Sequence, residues 1–155
     1  MRIVAQRVSS ARVSADNQII GEIGAGLCLL IGVAPGDTAR DARWLAEKTA
    51  NLRIFSDEDG KMNRSLLDTG GAVLAISQFT LYADCRRGRR PSFTGAAAPE
   101  IGEELYLRFA EELRSMNITV KTGKFGAEMK VELAGEGPVT IIIDSDMKHY
   151  DARER

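Results

Sequence analysis

The residues of this chain best suited to chemistry are Ser77-Gln78-Phe79-Thr80, three polar side chains around one aromatic, closing the apolar stretch 71–81. An apolar run carrying Val, Ile and Phe between turn residues predicts a buried strand. Here the side chains turn polar while β character persists through Leu81 and Tyr82. Strand alternation puts Gln78 and Thr80 on one face and Ser77 and Phe79 on the other. A buried polar group left unmet costs about 1–3 kcal/mol. The cluster is therefore a satisfied network, the floor of a site, or a strand reaching the surface.

The standard nucleophile systems find little support. Ser-His-Asp and Cys-His arrangements need a histidine, and the single one, His149, stands near the C-terminus. Cys85 lies beside arginines that favour its thiolate, although a solvated loop thiol is the simpler account. Cys28 sits in an apolar stretch and is expected to be inert. No His, Cys or carboxylate cluster has metal-ligand spacing, so neither a metal nor a cofactor is expected. Asp57-Glu58-Asp59-Gly60 lacks the length of a calcium loop and reads as a turn. Gly123-Lys124-Phe125-Gly126 is too short a pattern to define a phosphate loop.

Two other stretches are more informative. Cys85-Arg86-Arg87-Gly88-Arg89-Arg90-Pro91 is an irregular loop with four arginines in a span of five, directly after the polar strand end. Clustered arginines grip phosphates, and a solvated charged surface is the plain alternative. Gly137-Pro138 leads into Val139-Thr140. Proline is tolerated at a strand's first residue, so a hairpin turn is the direct reading, though X-Pro bonds also adopt the cis form.

The elements that must position these residues follow from the pattern. Residues 2–14 alternate as a strand, and Ile19 to Ile23 return as a hairpin. Gly26 to Ala34 form a fully apolar strand closed by Pro35-Gly36. A helix begins at Asp37-Thr38, with Asp41 in capping-box position and Ala42, Leu45, Thr49 and Leu52 facing inward. Ile54 to Asn63 hold a short strand and a turn at Asp59-Gly60. Pro99 opens a second helix with the stripe Ile101, Leu105, Phe109, Leu113 and Met116, ended by Asn117. Ile118 to Lys121 return to strand. Met129 to Leu133 and Val139 to Asp144 read as a hairpin pair. The sum is an α+β, strand-rich domain over residues 1–155, with two helices packed on a β-sheet or barrel-like core.

Composition sets the outer bounds. The 155 residues suffice for one domain with a real core. A net charge of −1 supplies no global basic field, so any nucleic-acid contact must come from a local patch. Two unlike cysteines and a start without a hydrophobic block suggest a reduced, cytoplasmic chain. The longest apolar run, Leu27 to Val33, falls far short of the roughly 20 residues of a membrane helix.

Together these residues resemble the D-aminoacyl-tRNA deacylase family, the type first named for D-tyrosyl-tRNA. The resemblance covers essentially the whole chain. Its most specific parts are Ser77-Gln78-Phe79-Thr80-Leu81 and Gly137-Pro138-Val139-Thr140, which match the family's two signature motifs without substitution. Gln6-Arg7-Val8, Phe55, 59–63, 88–93 and 124–129 support it.

The resemblance implies a homodimer with two active sites at its interface. Each subunit would insert a cis Gly137-Pro138 element into a pocket whose floor is Ser77 to Thr80 of the other. The implied substrate is a D-amino acid esterified to the 3′-terminal ribose of tRNA, with glycyl-tRNA, as mischarged on tRNA(Ala), accepted too. Such an ester is already labile, so positioning and an oxyanion site suffice, one donor being worth about 2.7–4 kcal/mol. Backbone N–H groups near Gln78, Phe79 or Thr80 are expected to face the ester carbonyl. Thr80 is the family's proposed nucleophile, but with no base beside it a route assisted by the substrate's 2′-hydroxyl is favoured. Main-chain carbonyls at Gly137-Pro138, with Val139 and Thr140 beside them, would hold the amino group and exclude an L side chain by clash. Arg7 would brace that element. Phe125 and Met129 would line the wall or an adenine pocket, with core packing as their plain alternative. Arg86, Arg87, Arg89 and Arg90 are candidate tRNA contacts. A noncatalytic RNA-end-binding module and a general small-ester hydrolase using Thr80 or Cys85 are the rival readings.

Overall fold

The computed structural model describes residues 1–149; the side chain of His149 lies outside the described residues. Strand β1 (Arg2–Ala15) is long enough to pair with three neighbours. Along one edge it meets β3 (Gly26–Gly32) and then β2 (Gln18–Ile23), both antiparallel. Along the other edge runs β8 (Lys130–Asp144). From β3 the sheet continues in parallel through β6 (Ala72–Ser77) to β7 (Val120–Thr122). The sheet curls until β2 approaches β7: a Cβ on Gly21 would lie 3.2 Å from the Thr122 carbonyl. The fold is α+β, with helices on a mixed, nearly closed barrel-like sheet.

The parallel strands are apolar on both faces because both are covered. Leu27, Leu29, Ile31, Val73 and Ala75 face a layer made by α1 (Ala39–Asn51) and α3 (Pro99–Ser115). Cys28, Leu74 and Ile76 face the barrel interior with Val8, Val13 and Ile23. Burial pushes the Cys28 thiol up to about 11, as expected of an inert core residue.

α1 starts as its sequence indicates: the Thr38 N–H donates to Asp41 Oδ2 at 2.8 Å in a capping box. Pro99 opens α3, and Asn117 adopts φ 62° after its last turn. The expected helix stripe holds at Leu105, Phe109 and Leu113, whereas Ile101 is exposed. A short hairpin, β4 (Phe55–Ser56) and β5 (Met62–Arg64), carries the turn around Gly60. No helix among the described residues is long and apolar enough to cross a membrane.

Three expectations are corrected. A third helix, α2 (Leu66–Thr69), adds one turn between a Ser65–Asp68 capping box and Gly70. It is too short to show a helical period. Residues 130–144 are one strand rather than a hairpin pair, because β1 supplies a continuous partner on both sides of Gly137-Pro138. The third correction concerns 71–82: the strand stops at Ser77, and Phe79–Tyr82 form a 3₁₀ turn. Its neighbour β3 ends at Gly32, so the ladder has no further partner. The last rung is the Gln78 N–H to the Ile31 carbonyl at 2.8 Å.

Candidate active site

The turn after β6 is held from three directions. A Cβ on Gly32 would sit 3.1 Å from the Tyr82 ring and 3.2 Å from the Gln78 carbonyl, so glycine there lets the turn fold against the end of β3. Arg2 stacks over the Tyr82 ring at 5.1 Å and donates to the Leu81 carbonyl at 3.2 Å. It also reaches Asp144 at the end of β8. Burial, followed by the nearby carboxylates of Asp37 and Asp144, pushes the Tyr82 phenol far up, so it stays neutral.

Within the turn, Leu81 N–H bonds to Gln78 and Ala83 N–H to Thr80. The Phe79 and Thr80 N–H groups have no acceptor among the described residues. They are the orphan donors that every helical first turn presents. The Gln78 N–H, by contrast, is taken by Ile31.

Beside this turn opens a cavity of about 480 Å³, within the range of small-ligand sites. Ile31, Ile76, Ser77, Gln78 and Phe79 line it from the ends of β3 and β6 and the turn that follows. Phe125 and Met129 also line it, as do Pro99 and Gly102 of α3. Tyr106 backs Phe125, its ring 6.2 Å away and its hydroxyl donating to the Ala75 carbonyl at 2.8 Å. Burial raises the Tyr106 phenol to about 12 and keeps it a donor. Met129 is pinned where Lys124 N–H approaches its sulfur at 3.3 Å.

Phe93 meets Phe79 edge-to-face with centroids 5.2 Å apart. Both rings are about half exposed, at 40% and 55%, and both line the cavity. Sequence reasoning did not place Phe93 in the site. The signal was its position directly after the arginine loop, in a stretch that already supported the family resemblance.

The structure thus brings Ser77, Gln78, Phe79, Phe125 and Met129 to one cavity. Thr80 lies just outside it, exposed, with its hydroxyl receiving a hydrogen bond from Gln78 Nε2 at 2.5 Å. Gly137, Pro138, Val139, Thr140 and Arg7 are elsewhere in the chain's own fold. Arg7 pairs with Leu27, four residues along β3 from Ile31, which pairs with Ser77. At about 3.3 Å per residue that is roughly 13 Å along the strand alone.

There the ladder between β1 and β8 is interrupted. Gln6 pairs with Thr140 and Val8 with Gly135, so residues 136–139 bulge out opposite Arg7. The Gly137–Pro138 peptide bond is cis. Gly137 has φ 117°, and a Cβ on it would meet Val139 Cγ2 at 2.9 Å and Arg7 at 3.1 Å. The Arg7 guanidinium donates to the Glu136 carbonyl at 3.2 Å and to the Ile54 carbonyl at 2.7 Å, tying the bulge to the segment before β4. Val139 packs on the core, while Glu136, Gly137, Pro138 and Thr140 are exposed.

In the arginine loop the four side chains are not equivalent. Arg86 makes a two-pronged pair with Asp84, at 2.8 and 2.7 Å, and holds that carboxyl at about 2. Arg87, Arg89 and Arg90 are exposed and have no partner among the described residues. Cys85 is exposed as well. Among the described residues no three His, Cys, Asp or Glu side chains gather as a metal site.

Fold and cavity together define a barrel-like α+β domain with a mostly apolar, ligand-sized cavity beside the turn that follows β6. The family model described as D-Tyr-tRNA(Tyr) deacylase matches residues 4–144, and the chain belongs to that family. A protein of Roseiflexus sp. named D-aminoacyl-tRNA deacylase is 59% identical over 145 residues, covering 94% of each chain. One of the same name from Bacillus cytotoxicus is 57% identical, over 94% of this chain and 99% of its own. Among solved structures, a c-Myc DNA unwinding element binding protein superposes with a TM-score of 0.86 at 38% identity, over 93% of this chain and 98% of its own. A probable eukaryotic D-amino acid tRNA deacylase, at 20% identity, shares the fold with a TM-score of 0.80, over 92% and 98%.

Proposed function

We propose that this chain, as a single cytoplasmic domain over residues 1–155, hydrolyses the ester joining a D-amino acid to the 3′-terminal ribose of tRNA. Water adds to the ester carbonyl, the bond from carbon to the ribose oxygen breaks, and that oxygen takes up a proton. The products are a free D-amino acid and tRNA. The observation that carries this reading is the pair of unpaired N–H groups at Phe79 and Thr80 beside the cavity. In this reading they receive the developing oxyanion, the kind of contact that supplies several kcal/mol per donor. The Gln78 N–H already donates to the Ile31 carbonyl, which favours Phe79 and Thr80 as the donors in this reading.

Thr80 does not act as the nucleophile in this scheme. Its hydroxyl is bonded to a carboxamide, and neither end of an amide is basic enough to take its proton. The substrate's own 2′-hydroxyl assists the water instead. The terminal adenosine lies in the cavity that Phe79, Phe93, Phe125 and Met129 line.

Handedness is read by a second copy of the chain. The main-chain carbonyls of Gly137 and Pro138, braced by Arg7, hold the substrate's amino group and leave no room for an L side chain. In one chain this bulge and the Ser77–Phe79 floor are separated along the barrel, which supports a homodimer with each site completed by its partner. Exposed Leu133 and Ile142 on β8 provide apolar surface for that seam. Glycyl-tRNA mischarged on tRNA(Ala) is a second substrate, since glycine carries no side chain to exclude.

The test is decay of the ester in D- and L-tyrosyl-tRNA incubated with the protein. Rapid loss of the D ester alone is expected. Equal decay of both overturns chiral selection, and bound tRNA with an intact ester in both cases identifies a noncatalytic binder.

A further inference from the structure

The arginine loop springs from the same turn that floors the cavity. It leaves Tyr82, and its two feet are clamped by an isolated bridge, Asp84 N–H to the Ser92 carbonyl at 2.7 Å and Ser92 N–H to the Asp84 carbonyl at 3.0 Å. The residue after the second foot is Phe93, whose ring lies against Phe79 at the cavity. A strap of residues 85–91 therefore projects from the rim of the site, fixed at both ends. Its one carboxylate, Asp84, is already taken by Arg86 through both side-chain oxygens and also accepts the Arg86 N–H at 3.0 Å. Four arginines less that compensated one leave three unmatched positive charges, on a chain whose net charge is −1.

We propose that this strap seats the phosphates of the single-stranded RNA that precedes the terminal nucleoside, with Arg87, Arg89 and Arg90 making the contacts. Arg86 stiffens the strap by its pair with Asp84 and makes no contact with RNA. The assignment rests on the aminoacyl-tRNA reading above and adds to it where the polynucleotide leaves the cavity. Guanidinium groups suit the role because they are always charged and present paired donors to phosphate oxygens. Neutralised phosphates release counterions, so binding carried by three arginines weakens steeply as salt rises.

The experiment compares the full-length protein with a variant carrying Arg87→Gln, Arg89→Gln and Arg90→Gln. Two substrates are used, D-tyrosyl-tRNA and the phosphate-free 3′-D-tyrosyl-adenosine. The slope of log KM for the tRNA against log salt is expected to flatten by about 2 in the variant. The ratio of kcat/KM for the tRNA to that for the adenosine ester is expected to fall by about tenfold or more at physiological salt. The triple Lys variant at the same positions restores the slope, because counterion release follows charge. A variant carrying Arg40→Gln, Lys61→Gln and Lys121→Gln, three exposed positions outside the strap, controls for net charge.

A wild type that cleaves both substrates, with slope and ratio unchanged in the triple Gln variant, overturns the strap assignment and leaves the deacylase reading standing. A variant that sediments as monomers and loses both substrates in equal measure also overturns it, because the arginines then serve contacts between copies of the chain, such as the exposed Asp57–Asp59 turn. A wild type that cleaves neither substrate overturns both readings.

Discussion

The side-chain amide of Gln78 donates to the Thr80 hydroxyl at 2.5 Å, and among the described residues that hydroxyl has no other hydrogen-bond partner. The hydroxyl is thus tied into the turn rather than prepared for attack. Thr80→Ala is expected to retain at least about a tenth of wild-type kcat on D-tyrosyl-tRNA, since removing an essential nucleophile costs on the order of 10⁶. Single-turnover kinetics at saturating enzyme measure it. A loss of about 10³ or more, with fold and tRNA affinity intact, would reinstate the threonine as nucleophile.

Gly137→Ala tests the bulge. At φ 117° a Cβ is strained, and it would collide with Val139 Cγ2 at 2.9 Å and crowd Arg7 at 3.1 Å. The carbonyls would shift, and a displacement of about 1 Å costs about 10²-fold in kcat/KM where positioning does the catalysis. Thermal unfolding should change little by comparison, because β1 pairs with β8 on both sides of the bulge. Arg7→Gln, which loses the fork that spans the Glu136 and Ile54 carbonyls, is expected to move activity in the same direction.

Phe93 holds Phe79 edge-to-face at the cavity. If the pair carries the terminal base, Phe93→Ala raises KM by about 5- to 150-fold, the equivalent of 1–3 kcal/mol for a base on an aromatic side chain. Steady-state kinetics with D-tyrosyl-tRNA decide it. An unchanged KM would place the base elsewhere in the cavity.

Acid stability has a local source at α1. Burial raises the Asp41 carboxyl, but hydrogen bonds from Lys148 and Thr38 outweigh it and hold it at about 2. The unfolded value is about 3.9, so the folded form binds its proton later. Its stabilisation, on the order of 2 kcal/mol, is fully present above about pH 4 and is lost as pH falls towards 2. Urea unfolding of Asp41→Asn against wild type should show that gap at pH 6 and its disappearance near pH 2. A gap that persists at pH 2 would assign the loss to the cap geometry instead.

Thr49 on α1 is fully buried, and its hydroxyl has no hydrogen-bond partner among the described residues. Leaving such a group unmet costs about 1–3 kcal/mol. Thr49→Val keeps the shape and removes the orphan, so a gain of about 1 kcal/mol is expected in denaturant midpoint experiments. A destabilised variant would show that the oxygen is satisfied in solution by water.

What could be read from the sequence was what short-range chemistry decides. Thr38 with Asp41, Pro99, and the stripe Leu105, Phe109 and Leu113 each signal a helix by themselves. Ser77 to Phe79 stood out because polar side chains at the end of a core strand need a reason. The course of the chain at two sites was decided from far away. The run 134–138 looks like a turn until β1, more than a hundred residues earlier, provides the strand it lies against. Residues after Ser77 look like strand until the neighbouring ladder runs out at Gly32. Phe93 and Gly102 reached the site only through packing of the arginine loop and α3 on the sheet. Which arginine is neutralised follows from the pair that Arg86 makes with Asp84, two residues before it, which a run of like charges does not single out.

The mid-strand bulge of β8 has an evolutionary corollary. Because Lys130–Ala134 and Thr140–Asp144 are each anchored to β1 on their own, residues 136–139 can be lengthened, shortened or rewritten without sliding either flank out of alignment. A fingertip projecting from the middle of a strand, rather than from a terminus or a hairpin tip, is a part that mutation can refashion while the scaffold beneath stays as it was.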